Sequence, residues 1–380
     1  MAAAACSSSK SSSTTATTKG ATGAAVGSTS TSVDPLAAAQ TAVTAAEKGT
    51  YRDVDSTPRP AVKGKHIVVI SGGESSISSQ VPSDAAVAAA KAIGWQVDLY
   101  DAKINPANWS PLIRQAVAAH VDGIVPDAID CDQAQQAYQE AKAAGIVIIP
   151  MYGFDCTDPH AGNEATGLFS SYVNYGAKME SNVDAFTEQF GADQANYIIA
   201  QTHNTAKIID VYDPEFTVLY WVFKGFNDTI AASGGSKVVD TLNITTSDLL
   251  AGKVESEVQA ELLRHPEATW LKSPYTYITT LAIGPALAAK PGSINVMGSE
   301  GFLPELDLIR KGIVTALSIV SSEWLGWAAI DTMNSVFSHQ KPVDSGLGWQ
   351  LVDKGTIPAS GPLVPSIDFK SEYMKAWGVS

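Results

Sequence analysis

Basic residues and histidines are scarce in this sequence. Its 380 residues contain 25 Lys and Arg against 39 Asp and Glu, a formal net charge of −14, and six His. A nucleic-acid-binding surface needs clustered Lys and Arg, so this balance argues against such a partner. The His residues are scattered and lack the paired spacing of a zinc site. We therefore expect no nucleic-acid partner and no metal.

Short catalytic motifs and long apolar runs are missing as well. The segment 71–75 (Ser-Gly-Gly-Glu-Ser) lacks the glycine spacing and the Lys of a phosphate-binding loop. The Gly-x-Ser-x-Gly motif that carries the nucleophile of many Ser hydrolases is also missing. No apolar run is long enough to span a bilayer. These absences predict a protein that is not an enzyme and carries no cofactor. An α/β enzyme that uses a cleft ranks below the binding functions considered next.

Three cysteines are present, and the first stands in an unusual context. Cys6 follows three Ala residues and precedes a Ser-rich run, as at the end of a bacterial lipoprotein signal, where the cysteine is acylated after cleavage. The basic and apolar segments that normally precede it are missing, so a tag or a chance cysteine is the alternative. Residues 7–34 are almost entirely Ser, Thr, Ala and Gly, and we expect them to form a disordered tether.

The stretch at residues 65–90 sets the pattern for the rest of the chain. Residues 66–70 form an unbroken run of β-formers, a polar loop follows at 74–80, and an Ala-rich helix begins near Pro82 with Ser83 or Asp84 as its cap. A fully apolar strand suits the centre of a parallel sheet, and open α/β sheets bind ligands at the carboxyl ends of such strands. We therefore expect residues 74–80 to form one lip of a cleft. An ordinary strand-to-helix connection is the alternative.

Strands and helices alternate in two similar tandem units. The predicted strands lie at residues 66–70, 95–100, 122–126, 146–150, 207–212, 236–241, 269–272, 293–298, 315–320 and 347–352. This alternation predicts an α/β protein with doubly wound parallel sheets, and 380 residues are too many for one ordinary core.

Several segments match one known family in order and spacing. They are the strand at 66–70 with its polar loop, Asn105-Pro106-Ala107, residues 121–126, residues 144–149, Lys224-Gly225-Phe226, and residues 297–301 (Met-Gly-Ser-Glu-Gly). Together they resemble the type I periplasmic solute-binding proteins, the ribose- and galactose-binding family that feeds ABC sugar importers. The resemblance runs from about residue 65 to residue 352. It implies the periplasmic binding protein type I fold, in which two doubly wound parallel-sheet lobes are joined by hinge strands.

The resemblance also implies a division of the chain and a function. We assign residues 1–62 to a signal remnant, lipid anchor and tether, residues 63–170 with 321–341 to an N-terminal lobe, and residues 171–320 with 342–380 to a C-terminal lobe. We expect an extracytoplasmic, membrane-anchored monomer that captures a small neutral solute, a carbohydrate or polyol, and presents it to an ABC permease. The alternative is a sensor that presents a small signal molecule to a transmembrane receptor.

The chain departs from the family where sugars are usually held. The Asp-Arg pair common after the fourth strand is replaced by residues 151–155 (Met-Tyr-Gly-Phe-Asp), and Arg residues of a helix in the second lobe by Phe216, Thr217 and Tyr220. Fewer charged and more aromatic groups therefore line the inferred cleft, which favours a less polar or smaller oxygenated ligand over a pyranose of the usual kind.

Carried onto this chain, the resemblance implies ligand contacts from both lobes. The candidate binding residues are Ser75, Ser76, Ser78, Tyr152, Asp155, Phe216, Thr217, Tyr220, Tyr275, Tyr277 and Glu300. Each has a structural alternative: Phe216 and Tyr220 could pack in a core, the serines could belong to a solvated turn, and Glu300 could pair with Lys311.

Two further features concern the ends of the third and fourth strands. Cys131 and Cys156 follow neighbouring strands, and an exported chain would keep them oxidised, so we expect a disulfide at the cleft rim, with two buried thiols as the alternative.

Asp127, Asp130 and Asp132 form an acidic cluster that could hold a cation, but a solvated helix cap is favoured because the spacing is not that of a calcium loop.

Overall fold

A computed structural model describes residues 34–176, 179 and 182–379 of the chain. Cys6 and most of the predicted tether lie outside these residues, so the predictions made for them stay predictions. Within the described part, no helix combines the length and the apolar character that a membrane span requires.

The strands form two sheets, as the alternating pattern predicts. A four-stranded parallel sheet has the order β2-β1-β3-β4, and a six-stranded sheet has the order β10-β9-β8-β7-β5-β6, in which β10 alone runs antiparallel to its neighbour. The bounds are β1 His66–Ser71, β2 Gln96–Asp101, β3 Gly123–Pro126, β4 Val147–Ile148, β5 Lys207–Tyr212, β6 Lys237–Asn243, β7 Trp270–Lys272, β8 Asn295–Ser299, β9 Ala316–Val320 and β10 Trp349–Asp353.

Helices cover both faces of each sheet. They are α1 Pro35–Glu47, α2 Ile77–Ala92, α3 Trp109–Ala118, α4 Gln135–Ala143, α5 Val183–Gln201, α6 Thr217–Ser233, α7 Thr246–Leu250, α8 Val254–Arg264, α9 Thr276–Ile278, α10 Gly284–Leu287, α11 Leu303–Arg310, α12 Ser322–Phe337 and α13 Phe369–Trp377. A π-helical turn, Thr279–Ile283, lies between α9 and α10, and short 3-10 turns precede α3 and α4.

The side chains of β1 show why this arrangement is doubly wound. Ile67 and Val69 belong to one core cluster, with α2 and α12, while Val68 and Ile70 belong to another, with α3 and α4. The large sheet also has separate clusters on its two faces. A strand buried on both faces needs apolar residues at every position, which is the unbroken run seen in the sequence. The predicted fold class, with parallel sheets in two doubly wound lobes, is confirmed.

Several element boundaries differ from the sequence prediction. The residues expected to be a polar loop, 74–80, are partly helical, because α2 begins at Ile77 and contains Pro82 in its interior. Later in the chain, α5 begins at Val183, and the helical segment before β7 is divided into α7 and α8. Helix α13 was not predicted at all.

The segment ahead of β1 is folded onto the body from residue 34. Helix α1 packs its Ala39, Val43 and Ala46 against α5 of the large-sheet lobe. Further on, Arg59 is 2% exposed and directs its Nε to both carboxylate oxygens of Asp331 on α12, at 2.7 and 2.9 Å. The part of the predicted tether from residue 34 to 62 is therefore structured.

Helix α13 closes the same region from the other side. Trp377 donates its indole N–H to Asp331 at 2.7 Å, and its ring stacks on Trp327 of α12 with 5.6 Å between centroids. The residues predicted to lie together in the C-terminal lobe, 342–380, are thus divided: β10 joins the large sheet, whereas α13 packs on α12, which covers the small sheet beside α2. The remaining lobe boundaries stay a proposal.

We predict that the buried Arg59–Asp331 ion pair is a major contact between residues 52–62 and the rest of the protein. Replacing Asp331 with Ala leaves the Arg59 guanidinium buried without its partner, which costs about 3–5 kcal/mol of unfolding free energy. Urea unfolding followed by circular dichroism measures it. The control is Glu323→Ala on the same helix, which removes an exposed ion pair with Lys370 and should cost less than about 1 kcal/mol. Equal losses in the two variants would contradict this assignment.

Candidate functional site

The strands of both sheets end at a common cavity. The residues that follow β1, β3, β4, β7 and β8 all contribute to its lining, together with side chains from α5 and α6. The cavity encloses about 1140 Å³, part of which is open to solvent. A cleft at the carboxyl ends of parallel strands is where this class of sheet binds ligands.

Seven of the eleven candidate residues line the cavity. They are Ser76, Ser78, Tyr152, Phe216, Tyr275, Tyr277 and Glu300. Two of the tyrosine hydroxyl groups already have partners: Tyr152 shares a hydrogen bond with Ser322, and Tyr275 donates to Asp213. The rings of these two tyrosines are therefore more available for contact with a ligand than their hydroxyl groups are.

The other four candidates lie outside the lining. Ser75 is exposed, and Asp155 accepts hydrogen bonds from the backbone N–H groups of Leu168 and Phe169, which fixes the loop that follows β4. The other two, Thr217 and Tyr220, lie on α6 where it meets the opposite lobe, as described below. A ligand role for these four has no support in the geometry.

Glu300 connects the two sides of the cleft. Its Oε2 accepts a hydrogen bond from the Ser78 hydroxyl at 2.6 Å, from the small-sheet lobe, and one from the Thr276 backbone N–H at 2.8 Å, from its own lobe. Burial raises the pKa of Glu300, while these two donors act in the opposite direction. The residue has a φ of +73°, a left-handed conformation that costs a non-glycine residue about 1 kcal/mol or more. The alternative pairing with Lys311 is not what the structure shows.

A second acid holds Glu300 in place. Glu305 on α11 is fully buried and accepts hydrogen bonds from the Thr276 and Thr279 hydroxyls at 2.7 and 2.8 Å and from the Gly301 backbone N–H at 3.1 Å. Burial raises the pKa of Glu305 to about 8, so the group is largely protonated at neutral pH.

Asp127 was read from the sequence as part of an acidic cluster, and it lines the cavity. It follows β3 directly, is 1% exposed, and neither carboxylate oxygen has a hydrogen-bond partner among the residues that the structure describes. Burial raises the pKa of Asp127 well above its usual range, and the nearby Glu300 and Glu74 raise it further. The Ser79 hydroxyl and the Gly72 N–H act in the opposite direction but are not within hydrogen-bonding geometry.

Asp130 joins the two lobes. One carboxylate oxygen accepts from the Phe154 backbone N–H at 2.8 Å within its own lobe, and the other accepts from the Thr217 N–H at 2.9 Å, at the start of α6 in the opposite lobe. Helix α6 has no side-chain cap of its own, so Asp130 supplies one across the cleft. The expected solvated cap is therefore a buried one, and burial raises the pKa of Asp130 to about 6.

Further contacts between the lobes lie next to this cap. The Tyr220 ring stacks on His160 with 3.5 Å between centroids, and Trp221 donates its indole N–H to Asp158 at 3.0 Å. The loop that carries His160 and Asp158 is bound to the end of β3 by the Cys131–Cys156 disulfide, whose Cα atoms are 4.9 Å apart. The predicted disulfide is confirmed.

The largest part of the lining was not predicted from the sequence. It is apolar and includes Trp109 at the start of α3, Phe186 and Phe190 on α5, Val218, Leu219 and Val222 on α6, and Leu249 on α7. The spacing of four between the two Phe residues is an ordinary helix-face signal, which indicates burial but not what the face is buried against.

Charge in the cleft has one sign. The described lining residues include two acids, Asp127 and Glu300, and no Lys, Arg or His. Away from the cleft, Asp240, Glu261 and His265 lie close enough to share a metal ion, but Glu261 is already paired with Arg264, so the geometry indicates an ion-pair network.

Comparisons with known proteins place this geometry in context. The model of the family described as "Periplasmic binding protein domain" matches residues 67–341. No curated protein matches the sequence.

Solved structures with the same fold are numerous, and three are representative. An ABC transporter solute-binding protein from Burkholderia graminis in complex with D-arabinose has a TM-score of 0.63 and 19% identity, over 77% of this chain and 96% of that chain. A glucose-galactose binding protein from Geobacillus stearothermophilus has a TM-score of 0.65 and 15% identity, over 78% and 100%. A periplasmic ribose ABC transporter protein from Conexibacter woesei has a TM-score of 0.62 and 19% identity, over 78% and 94%.

At these identities the structural likeness shows the fold, while the match to the family model covers well over half of the sequence. The chain therefore belongs to the periplasmic binding protein domain family.

Proposed function

We propose that this protein is the extracytoplasmic solute-binding component of an ABC importer. It captures a small neutral solute, a carbohydrate or polyol, between its lobes and presents the closed form to a membrane permease, acting as a monomer and without making or breaking a bond. The observation that carries this proposal is the cavity between the strand ends of the two sheets, with Ser78 and Glu300 hydrogen-bonded across it. The sugars bound by the similar structures, and the absence of a basic group from the described lining, support a neutral sugar-like solute.

Solute binding should stabilise the protein by mass action. We expect at least one of D-ribose, D-arabinose, D-glucose, D-galactose and ribitol at millimolar concentration to raise the Tm in a thermal-shift assay, with the Kd measured by calorimetry. Ser78→Ala removes the hydroxyl that reaches Glu300 and should weaken binding about tenfold, the effect of one hydrogen bond to a charged group. The matched control is Ser75→Ala, three residues away and exposed, which should bind like the parent protein. A panel without any Tm shift would contradict the proposal.

Closure should depend on pH through Asp130. In the closed form burial raises the pKa of Asp130 to about 6, whereas a solvated carboxyl in an open form titrates near its usual 3.8. The closed form therefore takes up a proton between these values, and its stability relative to the open form is lost as pH rises through 6. We expect a smaller radius of gyration at pH 5 than at pH 7.5 in X-ray scattering of the ligand-free protein.

Two variants separate Asp130 from the other buried acids. Asp130→Asn cannot titrate and should lose the pH-dependent step, whereas Asp132→Asn, at an exposed neighbour, should keep it. A step of the same size in both variants would show that Asp130 is not the titrating group.

We also propose that the protein is anchored to the membrane through acylated Cys6. Mass spectrometry of the amino-terminal peptide from a membrane fraction should show a diacylglyceryl group on this cysteine. Cys6→Ser should move the protein to the soluble fraction, and a variant that stays with the membranes would contradict an anchor at this position.

A further inference from the structure

The polar and apolar groups of the cavity come from different parts of the fold. The polar side chains Ser76, Ser78, Ser79, Asp127 and Glu300 follow the ends of β1, β3 and β8. The lining side chains on α5, α6 and α7 are apolar except for Thr187 and Thr246, and we call the set Phe186, Phe190, Leu219, Val222 and Leu249 the apolar wall. A ligand that fills this cavity therefore meets hydrogen-bonding groups on one side and hydrocarbon on the other.

The helices α5 and α6, which carry four of the five residues of the apolar wall, are in close contact. Gly191 on α5 lies against the Val222 backbone, and Gly225 on α6 lies against the Glu188 backbone. A Cβ atom at either glycine would clash with the opposite helix. Separating the two helices would break this close contact. We therefore expect α5 and α6 to keep their apolar side chains on the cavity.

The hydrogen-bonding groups of the cavity differ in what they can still offer a ligand. Tyr152, Tyr275 and one carboxylate oxygen of Glu300 already have protein partners. Among the described residues, Asp127 and the indole N–H of Trp109 are buried without a partner, one able to accept and the other to donate. An unpartnered buried carboxyl group is costly, which indicates that a ligand group completes it. Together with the serines of the cavity these groups can hold a hydroxylated head, whereas the side chains of the apolar wall offer a ligand no hydrogen bond.

The apolar wall adds a second requirement. A lone pentose or hexose carries hydroxyl groups around its ring and would leave much of this wall without an apolar partner. A ligand with a hydrophobic substituent would cover it and gain the free energy of that burial.

We infer that the cleft takes a glycoside with an apolar aglycone, an aromatic or alkyl group, whose sugar hydroxyls meet Asp127 and the serines while the aglycone lies against the apolar wall. This inference rests on the proposed function and narrows its solute class. A positively charged amine with an apolar body would also suit a cleft whose charged groups are all acidic. Asp127 is less suited to it as a permanent counter-ion, because burial favours the protonated carboxyl group, and a protonated carboxyl pairs with a hydroxyl.

The test compares each free sugar with its phenyl glycoside on the full chain by calorimetry, using D-glucose, D-galactose and D-arabinose and including benzylamine as a cationic probe. We expect at least one phenyl glycoside to bind tenfold or more tightly than its parent sugar. A free sugar that binds as tightly as its glycoside would overturn the inference and leave the proposed function standing. Binding of benzylamine alone would overturn the neutral-solute class. Binding of none of the probes would overturn the inference, and together with a sugar panel that gives no Tm shift it would overturn the proposed function as well.

Adjacent leucines on α7 provide the matched variants. Leu249 lines the cavity, whereas Leu250 is 63% exposed and points elsewhere. Leu249→Ala should weaken the phenyl glycoside at least threefold and leave the parent sugar within twofold, and Leu250→Ala should change neither. Asp127→Asn should weaken sugar and glycoside alike, about tenfold. Equal effects of the two leucine variants on the glycoside would show that the aglycone does not contact the apolar wall.

Discussion

The carboxylate of Asp130 is shared between the two lobes, and much of the site's geometry depends on it. A helix end leaves backbone N–H groups without partners, and α6 begins at Thr217 without a capping side chain of its own. Asp130 satisfies one of these groups from the opposite lobe while its second oxygen holds the Phe154 N–H. Because both partners are backbone groups, the position of one lobe on the other is defined by main-chain geometry. Burying the carboxylate is costly, and the hydrogen bonds offset that cost only while the lobes are in contact.

Glu300 is a second buried acid at the contact between the two lobes. Glu300 is buried between a hydroxyl of one lobe and a backbone N–H of the other, in a left-handed conformation that local preference disfavours. Glu305 stabilises that conformation from behind through Thr276 and Gly301. Such backbone strain persists only where the surroundings over-determine it. The acids of the cleft are therefore positioned before any ligand arrives, which reduces the ordering that binding would require.

The sequence predicts the sheets well and the helix positions less well, for physical reasons. A strand buried on both faces is apolar nearly throughout, so the strand signal at residues 67–70 is strong. Residues 207–212 keep the same signal apart from the buried Asp210, whose carboxylate pairs with Lys272. Helix starts depend on weaker signals. Pro82 was read as the first turn of α2, yet the helix begins at Ile77 and contains the buried Pro82 in its interior, a position that proline disfavours. Helix α13 has a recognisable cap in Asp368, but it follows a stretch without periodicity.

In the candidate site, too, the residues that follow strands were predicted and those inside helices were missed. Residues directly after strands, such as Tyr152 and Glu300, were found because a parallel sheet brings its strand ends together wherever the chain goes next. The apolar wall was missed because its residues lie inside helices, and which way a helix face points is decided by tertiary packing, here by the close approach at Gly191 and Gly225. Asp127 was noticed and assigned to a cap, since sequence alone does not tell a capping acid from an unpartnered one. A fold shared at 15–20% identity thus fixes where a solute can bind, while the side chains that choose it are set by helix packing and by the few polar groups left unsatisfied.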